Sequence, residues 1–216
     1  MKTAVQCDFD GTITEEDVSF LLLDAFAEGD WRQLLEDYMG GKMPVGAFNK
    51  QAFAMIKADK PALLDFMSKS DRVKVRPGFR DLLDYCSRQG FKVVIVSNGV
   101  DFYIEAILRD IGVNGIEFFA AQSRFRPEGM EVRYVGPDGD EMEAGFKEAY
   151  TGLLKRNGYS VVYLGNGISD IYPARESRHV FATGDLLTRC REEQLRCMPF
   201  ADLHDVVRGL GTLSLS

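Results

Sequence analysis

Residues 3–14 read TAVQCDFDGTIT, and this stretch decides the fold. Its first five residues form a short, largely apolar run, which predicts a buried strand of a parallel sheet. The run stops at Asp8, and Asp10 follows two positions later. Residues two apart in an extended chain lie on the same side of it, so we expect both carboxylates to face one point beyond the strand end.

Two later apolar runs end in the same abrupt way. FKVVIVS ends at Ser97, and SVVYLG ends at Gly165. The segment between Pro77 and Gly90 is a helical pattern with proline near its start and glycine at its end. Strands that alternate with helices predict an α/β fold built on a doubly wound parallel sheet. A weak further strand is predicted at residues 179–183.

Two segments do not follow this alternation. Residues 15–74 contain only amphipathic helical patterns and are far longer than a crossover needs. We therefore predict a core formed by residues 1–14 and 75–216, with a small helical cap inserted at 15–74. Residues 116–145 carry alternating pieces around Pro-Glu-Gly and Pro-Asp-Gly turns, which predict one or two antiparallel strands at the sheet edge.

The composition excludes several classes of function. The chain of 216 residues has a net charge of −7, so we expect no basic surface for binding nucleic acid. No apolar stretch is long enough to span a membrane, and the N-terminal run is too short for a signal peptide. The four cysteines form no CxxC pair, so we expect them to be reduced and partly buried. These features predict a soluble, cytoplasmic protein that binds neither nucleic acid nor membrane.

The polar residues at the strand ends indicate phosphate chemistry. Sites in open parallel sheets form beyond the carboxyl ends of the strands. Asp8 and Asp10 repel each other unless a cation compensates their charge, and Mg²⁺ does so when a phosphate supplies further oxygens. Ser97, Asn98 and Gly99 are expected to form a loop that opens a helix and offers a hydroxyl and backbone N–H groups to that phosphate.

Each feature also has a purely structural explanation. Asp-Phe-Asp-Gly is a common turn composition. Ser97 and Asp170 are acceptable helix caps, and Asp17 opens a helix, where an acidic residue is favoured. Lys147 taken alone is a solvated helix lysine. These alternatives lose weight only because the motifs occur together and in order.

Four motifs in order resemble those of the haloacid-dehalogenase superfamily of phosphatases: DFDGTIT, VSNG, a lysine at a helix start, and GNGISD. The resemblance spans the whole chain and implies a Rossmann-like doubly wound parallel sheet with a small helical cap. Within the superfamily the chain is similar to the phosphoserine-phosphatase-like group. SNGVDFYI and LLTRCREEQLRCMPFADLHDV are similar to the methionine-salvage phosphatases that act on 2-hydroxy-3-keto-5-methylthiopentenyl-1-phosphate.

The resemblance implies a role for each motif residue. Asp8 would attack phosphorus and form an aspartyl-phosphate, and Asp10 would act as the acid and base. Lys147 would neutralise charge on Asp8 and on the transferred group. Lys147 is preferred to Lys155 on geometry also, because Lys155 lies about 12 Å further along the helix, near the far edge of the sheet.

The remaining motif residues are implied to bind phosphate, metal or substrate. Ser97, Asn98 and Gly99 would bind the phosphate together with Lys147. The implied Mg²⁺ ligands are Asp8, Asp10 through its backbone carbonyl, Asn166 and Asp170. Asp17 matches the place of an acidic substrate contact in phosphoserine phosphatases.

Asn166 departs from the family pattern, which has aspartate there. Its amide oxygen can still bind Mg²⁺, but one negative charge is lost, which predicts weaker metal binding or altered activity.

The sequence therefore predicts an Mg²⁺-dependent phosphatase for a small phosphorylated metabolite, acting as a monomer or homodimer. Phosphoserine phosphatase and phosphotransferase activities are alternatives within the same class. A weakly active regulator that binds a phosphorylated metabolite is the alternative from another class, and Asn166 is the residue that favours it.

Overall fold

A computed structural model describes residues 2–213. Its centre is an eight-stranded sheet with the order β5-β4-β3-β2-β1-β6-β7-β8. The strands are β1 (Lys2–Cys7), β2 (Lys92–Val100), β3 (Glu117–Arg126), β4 (Gly129–Val135), β5 (Glu141–Met142), β6 (Tyr159–Gly165), β7 (His179–Ala182) and β8 (Met198–Pro199). The predicted strands at residues 3–7, 91–97, 160–165 and 179–183 are thus all present, within a residue or three of their expected ends.

Six neighbouring strands, from β3 to β8 in the sheet order, run parallel. Strand β1 lies in the middle, with Cys7 opposite Ile95 on one side and Leu164 on the other. Every residue of β1 after Lys2 is buried. Successive side chains of a strand point to opposite faces, so both faces of the sheet are covered, as a doubly wound sheet requires.

The region 116–145 is more regular than we expected. It forms three strands rather than one or two, and β3 pairs in parallel with β2 before it pairs antiparallel with β4. The short β5 extends the antiparallel part. The sheet is therefore mixed, because β3 is long enough to serve both the parallel core and the antiparallel edge.

Ten helices surround the sheet in the described part of the chain. They are α1 (Val18–Phe26), α2 (Trp31–Met39), α3 (Val45–Ala54), α4 (Lys60–Lys69), α5 (Phe79–Gln89), α6 (Asp101–Asp110), α7 (Phe146–Arg156), α8 (Ile171–Arg175), α9 (Gly184–Glu192) and α10 (Leu203–Thr212). Helix α5 follows Pro77 and ends at Gly90, which adopts a left-handed conformation with φ of 68°. This is the punctuation that the sequence predicted.

The inserted segment contains helices α1 to α4. Its two ends meet, since Thr14 and Val75 form an isolated antiparallel bridge and the Glu15 N–H donates to the Lys74 carbonyl over 2.9 Å. Inside it, a second bridge joins Ala27 to Ile56. The division into a core and a cap at these positions stays a prediction.

Helix α3 of the insert packs against β4 and the loop after β5. The Gly46 N–H donates to the Glu143 carbonyl over 2.9 Å, and a Cβ at Gly46 would lie 2.6 Å from that oxygen. Glycine is therefore needed for the two backbones to approach. Lys50 adds ion pairs with Glu141 at 2.6 Å and with Glu143 at 3.0 Å. These contacts hold one side of the insert on the edge of the sheet.

Cys7, Cys86 and Cys190 are buried and Cys197 is partly buried, in line with the expected burial. Across residues 2–213, no helix combines the length and the apolar character that crossing a bilayer demands.

Candidate active site

The ends of β1, β2 and β6 meet at one edge of the sheet. The Asp8 N–H donates to the Leu164 carbonyl over 2.9 Å, which holds the residue after β1 against the end of β6. A cavity of about 250 Å³ opens there. Its lining includes these predicted site residues: Asp8, Asp10, Asp17, Ser97, Asn98, Gly99, Lys147 and Asn166. Asp170 lies directly behind it, bonded to Lys147.

Lys147 lies between two buried carboxylates. Its Nζ is 2.7 Å from Asp8 Oδ1 and 2.6 Å from Asp170 Oδ1, and its side chain is 3% exposed. Burial lowers the pKa of Lys147, but the charges of Asp170 and Asp8 outweigh burial and raise it well above its usual range. The lysine is therefore held as a cation beside Asp8. Its place in the first turn of α7 agrees with the geometry expected from the sequence.

Lys147 is also held through its backbone. The Gln6 Nε2 donates to the Lys147 carbonyl over 3.0 Å, and the Thr151 hydroxyl donates to Gln6 Oε1 over 2.8 Å. Gln6 is fully buried and is the next-to-last residue of β1. A glutamine inside an apolar strand was the sequence signal for such a bond, because buried amides need partners.

The Asp170 carboxylate accepts hydrogen bonds from four donors. Oδ1 accepts from Lys147 Nζ and from the Tyr163 hydroxyl, and Oδ2 accepts from the N–H groups of Asn166 and Gly167. A carboxylate has about four acceptor positions, so these four donors account for them. The assignment of Asp170 as a direct metal ligand stays a prediction. The contacts join Lys147 to the loop that carries Asn166.

The carboxyl groups of Asp8 and Asp10 have raised pKa values. Burial raises the pKa of Asp8 to about 8, with the Asp170 charge adding to the rise and Lys147 opposing it. Burial also raises the pKa of Asp10 to about 8, with Asp17 as the second cause. Crowded, buried carboxyl groups of this kind favour a bound cation and are frequent in catalytic sites.

The loop after β1 is fixed from outside the cavity. Arg76 donates to the carbonyls of Gly11 and Thr12 over 2.8 and 2.9 Å. Gly11 has φ of 69°, and a Cβ there would lie 2.2 Å from Asn166 Nδ2. Glycine therefore lets the loop turn and lets Asn166 approach it.

Ser97, Asn98 and Gly99 do not form the loop that we expected. Strand β2 continues to Val100 with an irregularity after Val96, and α6 begins only at Asp101. The Gly99 N–H donates to the Ser97 hydroxyl over 2.9 Å, so Ser97 stabilises its own strand end and does not cap α6.

The Asn98 Oδ1 is buried without a hydrogen-bond partner, although Asn98 Nδ2 donates to Ser169. This free acceptor suits a hydroxyl donor of a ligand.

The oxygens at the centre of the site suit Mg²⁺. Asp8 and Asp10 supply carboxylate or carbonyl oxygens, and Asn166 supplies an amide oxygen that accepts from the Thr12 hydroxyl at 2.9 Å. Mg²⁺ is commonly held by one or two carboxylates together with waters and substrate phosphate. Within residues 2–213, no three side chains of His, Cys, Asp or Glu form a group able to hold a metal. The donor set therefore fits a hard divalent cation, with less negative charge than an aspartate at position 166 would provide.

Asn166→Asp is expected to tighten Mg²⁺ binding by about tenfold or more, because added ligand charge increases the affinity for a hard cation. Without metal, the same change adds a half-buried negative charge to a cavity already lined by Asp8, Asp10 and Asp17, and it lowers the free energy of unfolding. Isothermal titration with Mg²⁺ and thermal melts with and without Mg²⁺ measure both effects. Asn157→Asp, on the α7 side of the sheet, is the matched control. Equal affinities in Asn166→Asp and the unmodified protein would exclude Asn166 as a ligand.

Asp17 lies at the cavity wall and also begins α1. Its carboxylate accepts from the Phe20 N–H over 2.9 Å, so it is a helix cap as well as a lining residue. Burial raises the pKa of Asp17 to about 6. Most of the other lining side chains from the insert are apolar, among them Phe20, Leu35 and Phe48, whereas Ser19 and Asn49 are polar.

Tyr163 and Tyr103 were not anticipated as site residues. Each has a buried hydroxyl, on Asp170 and on Asp10 respectively, at 2.5 Å. Both occur in apolar runs of the sequence, where a tyrosine is ordinarily a packing residue. A fully buried tyrosine needs a partner for its hydroxyl, which was the one available signal.

Comparisons with known proteins agree with this geometry. The model of the haloacid dehalogenase-like hydrolase family matches residues 5–175 of the chain. A 2-hydroxy-3-keto-5-methylthiopentenyl-1-phosphate phosphatase from Geobacillus kaustophilus is 30% identical and covers 94% of this chain and 93% of its own. The enzyme of the same name from Brevibacillus brevis is 28% identical, and the match covers 96% of this chain and 94% of that enzyme.

A solved structure of a substrate-bound phosphoserine phosphatase has the same fold. It superposes with a TM-score of 0.70 at 17% identity, covering 97% of this chain and 98% of its own. At 17% identity this structural match shows the fold alone. The family model and the 30% identical relative show the family to which the chain belongs. The chain belongs to the haloacid dehalogenase-like hydrolases and is a phosphatase of that family.

Proposed function

We propose that this phosphatase is an Mg²⁺-dependent phosphomonoester hydrolase that acts through an aspartyl-phosphate on Asp8. The observation that carries the proposal is the ion pair between Asp8 and Lys147 at the floor of a cavity that Asp10 also lines. A carboxylate nucleophile needs a neighbouring cation to accept an anionic phosphate, and it needs an acid within reach of the leaving oxygen.

The first step transfers the phosphoryl group to the enzyme. An Asp8 carboxylate oxygen bonds to phosphorus while the bond from phosphorus to the ester oxygen breaks. Asp10 gives its proton to that oxygen, which leaves as an alcohol. Lys147 and the backbone N–H groups near Ser97 stabilise the charge on the transferred phosphoryl oxygens.

The second step releases inorganic phosphate. Asp10, now a carboxylate, takes a proton from water as the water oxygen bonds to phosphorus, and the bond to the Asp8 oxygen breaks. Asp8 and the protonated Asp10 are then restored. Mg²⁺, when held by Asp8, the Asp10 carbonyl and Asn166, would neutralise negative charge on the phosphate. The apolar side chains of the insert exclude bulk water from this space.

The cavity walls support a substrate with an apolar tail. Phe20, Leu35, Val45 and Phe48 line it, and Lys147 is the one cationic side chain among the described lining residues. Lys147 is already paired with Asp8 and Asp170, so nothing in the lining is free to pair with a substrate carboxylate. We therefore propose a small phosphate ester with no charge outside its phosphate group, 2-hydroxy-3-keto-5-methylthiopentenyl-1-phosphate, whose methylthio end would meet the apolar wall.

Phosphoserine is the second candidate. Asp17 is the observation that favours it, because a carboxylate in the wall can pair with an ammonium group. The unpaired carboxylate of phosphoserine would remain without a cation, which disfavours tight binding. The ester that carries no charge outside its phosphate group is therefore preferred to phosphoserine.

A panel of esters assayed with the purified full chain tests the proposal. We expect kcat/KM for 2-hydroxy-3-keto-5-methylthiopentenyl-1-phosphate to exceed that for phosphoserine by about 10²-fold or more, the discrimination typical of an unpaired buried charge. EDTA should abolish turnover of p-nitrophenyl phosphate, and added Mg²⁺ should restore it. A higher kcat/KM for phosphoserine would refute the proposed substrate assignment. Alcohol-dependent loss of phosphate release would indicate phosphotransfer, and binding without turnover would indicate a regulator.

A further inference from the structure

Tyr103 is the buried tyrosine nearest to the reacting groups, and the mechanism above gives it no role. It lies in the first turn of α6 and is fully buried. Its hydroxyl oxygen is 2.5 Å from Asp10 Oδ2 and 2.7 Å from the hydroxyl oxygen of Ser19, on α1 of the insert. Three polar groups from three separate parts of the chain thus meet in the interior.

The directions of these bonds follow from the proton count. The Tyr103 hydroxyl donates its single proton to Asp10 Oδ2, so the bond leaves the proton of Asp10 itself free for transfer. The Tyr103 oxygen can then only accept from Ser19, which donates. On the other side of the carboxyl group, the Val18 N–H donates to Asp10 Oδ1 over 3.0 Å. Both oxygens of Asp10 are therefore held, which fixes the plane of the group.

Gly99 makes this arrangement possible. A Cβ at position 99 would lie 1.9 Å from the Tyr103 hydroxyl oxygen and 2.2 Å from Asp10 Oδ2. Neither atom can move away without losing the bond between them. Glycine at position 99 is therefore needed for the bond between Tyr103 and Asp10.

We propose that Tyr103 is a positioning residue that aims the Asp10 carboxyl at the leaving oxygen, with Ser19 linking it to the insert. This inference rests on the proposed function, since it assigns Asp10 the transfer of a proton to that oxygen. Proton transfer depends on aim within a few tenths of an ångström, and a misplaced group loses much of its effect. Tyr103→Phe keeps the ring and removes the hydroxyl that bonds Asp10 Oδ2 and Ser19.

The leaving group distinguishes positioning from general damage. Propyl phosphate leaves as an alkoxide that needs the Asp10 proton, whereas p-nitrophenyl phosphate leaves as a stable anion that does not. Single-turnover cleavage with excess Mg²⁺-loaded enzyme measures the first step for both esters. We expect Tyr103→Phe to slow propyl phosphate cleavage by about 10- to 100-fold and to change p-nitrophenyl phosphate cleavage by less than about threefold.

Tyr150→Phe is the matched control. Tyr150 is also a buried tyrosine, and its hydroxyl donates to the Val135 carbonyl over 3.0 Å, outside the cavity lining. We expect its ratio of the two cleavage rates to equal that of the unmodified enzyme. Equal slowing of both esters by Tyr103→Phe, or slowing of neither, would overturn the inference.

Ser19→Ala keeps the inference testable if Tyr103→Phe does not fold. It removes the hydrogen bond that Tyr103 accepts, and we expect the ratio of propyl to p-nitrophenyl cleavage to fall by about threefold. An unchanged ratio would overturn the inference. Failure of the unmodified enzyme to cleave either ester would instead overturn the proposed function itself, so the two failures are distinct.

Discussion

Asp8→Asn will lower kcat for p-nitrophenyl phosphate by about 10⁴-fold or more, the loss typical of removing a nucleophile. The amide has nearly the shape of the carboxylate but is too weak a nucleophile to attack phosphorus. It also leaves Lys147 paired with Asp170 alone, so the cation remains in place. Steady-state assays with Mg²⁺ measure turnover, and acid quenching of a reaction with ³²P-labelled substrate traps the covalent intermediate as an acid-stable, hydroxylamine-sensitive phosphoenzyme.

Asp84→Asn is the control for this prediction. Asp84 is an exposed aspartate on α5, so the same chemical change there should leave kcat unaltered. Thermal melts of both variants show whether either change unfolds the protein. Residual turnover of Asp8→Asn close to that of the unmodified enzyme, with no loss of phosphoenzyme, would refute Asp8 as the nucleophile.

Lys147→Met will lower the free energy of unfolding by about 3–5 kcal/mol, because it removes the cation from two buried carboxylates. The side chains of Asp8 and Asp170 are 7% and 0% exposed, so water cannot replace the lost charge. Methionine fills a similar volume, which limits the contribution of a cavity. Urea unfolding followed by circular dichroism measures the change. Phosphatase activity should be lost in the same variant.

Lys155→Met is the matched control on the same helix. Lys155 is 44% exposed and pairs with Glu176, which is 59% exposed, so the loss should stay below about 1 kcal/mol. The double variant Lys147→Met with Asp170→Asn should be more stable than Lys147→Met alone, since it removes one of the two uncompensated charges. Similar small losses for Lys147→Met and Lys155→Met would contradict the buried ion pair.

Much of the site could be predicted because its residues follow strand ends. Asp8 ends one apolar run, and Ser97 and Asn166 end or follow two others, so the parallel sheet alone brings them to one edge. Lys147 was predictable because a helix returning over the sheet begins at that edge. These inferences depend on local patterns and on a general property of parallel sheets.

The remainder depends on contacts between distant parts of the chain. Tyr103 reads as an apolar helix residue, and only folding brings its hydroxyl to Asp10, 93 positions earlier. The four donors on Asp170 come from α7, β6 and its own loop, so a spacing pattern could not show that its oxygens are filled. Likewise, β2 continues to Val100 and brings Gly99 against Tyr103, a contact that no local propensity records.

The two ends of the sheet affect how the protein behaves at high concentration. Both β5 and β8 have only two residues, and β8 ends at Pro199, which has no N–H group. A neighbouring molecule that tried to add a strand would find almost no row of free amides and carbonyls to pair with. Each end of the sheet is thus a strand too short to serve as a template for edge-to-edge growth.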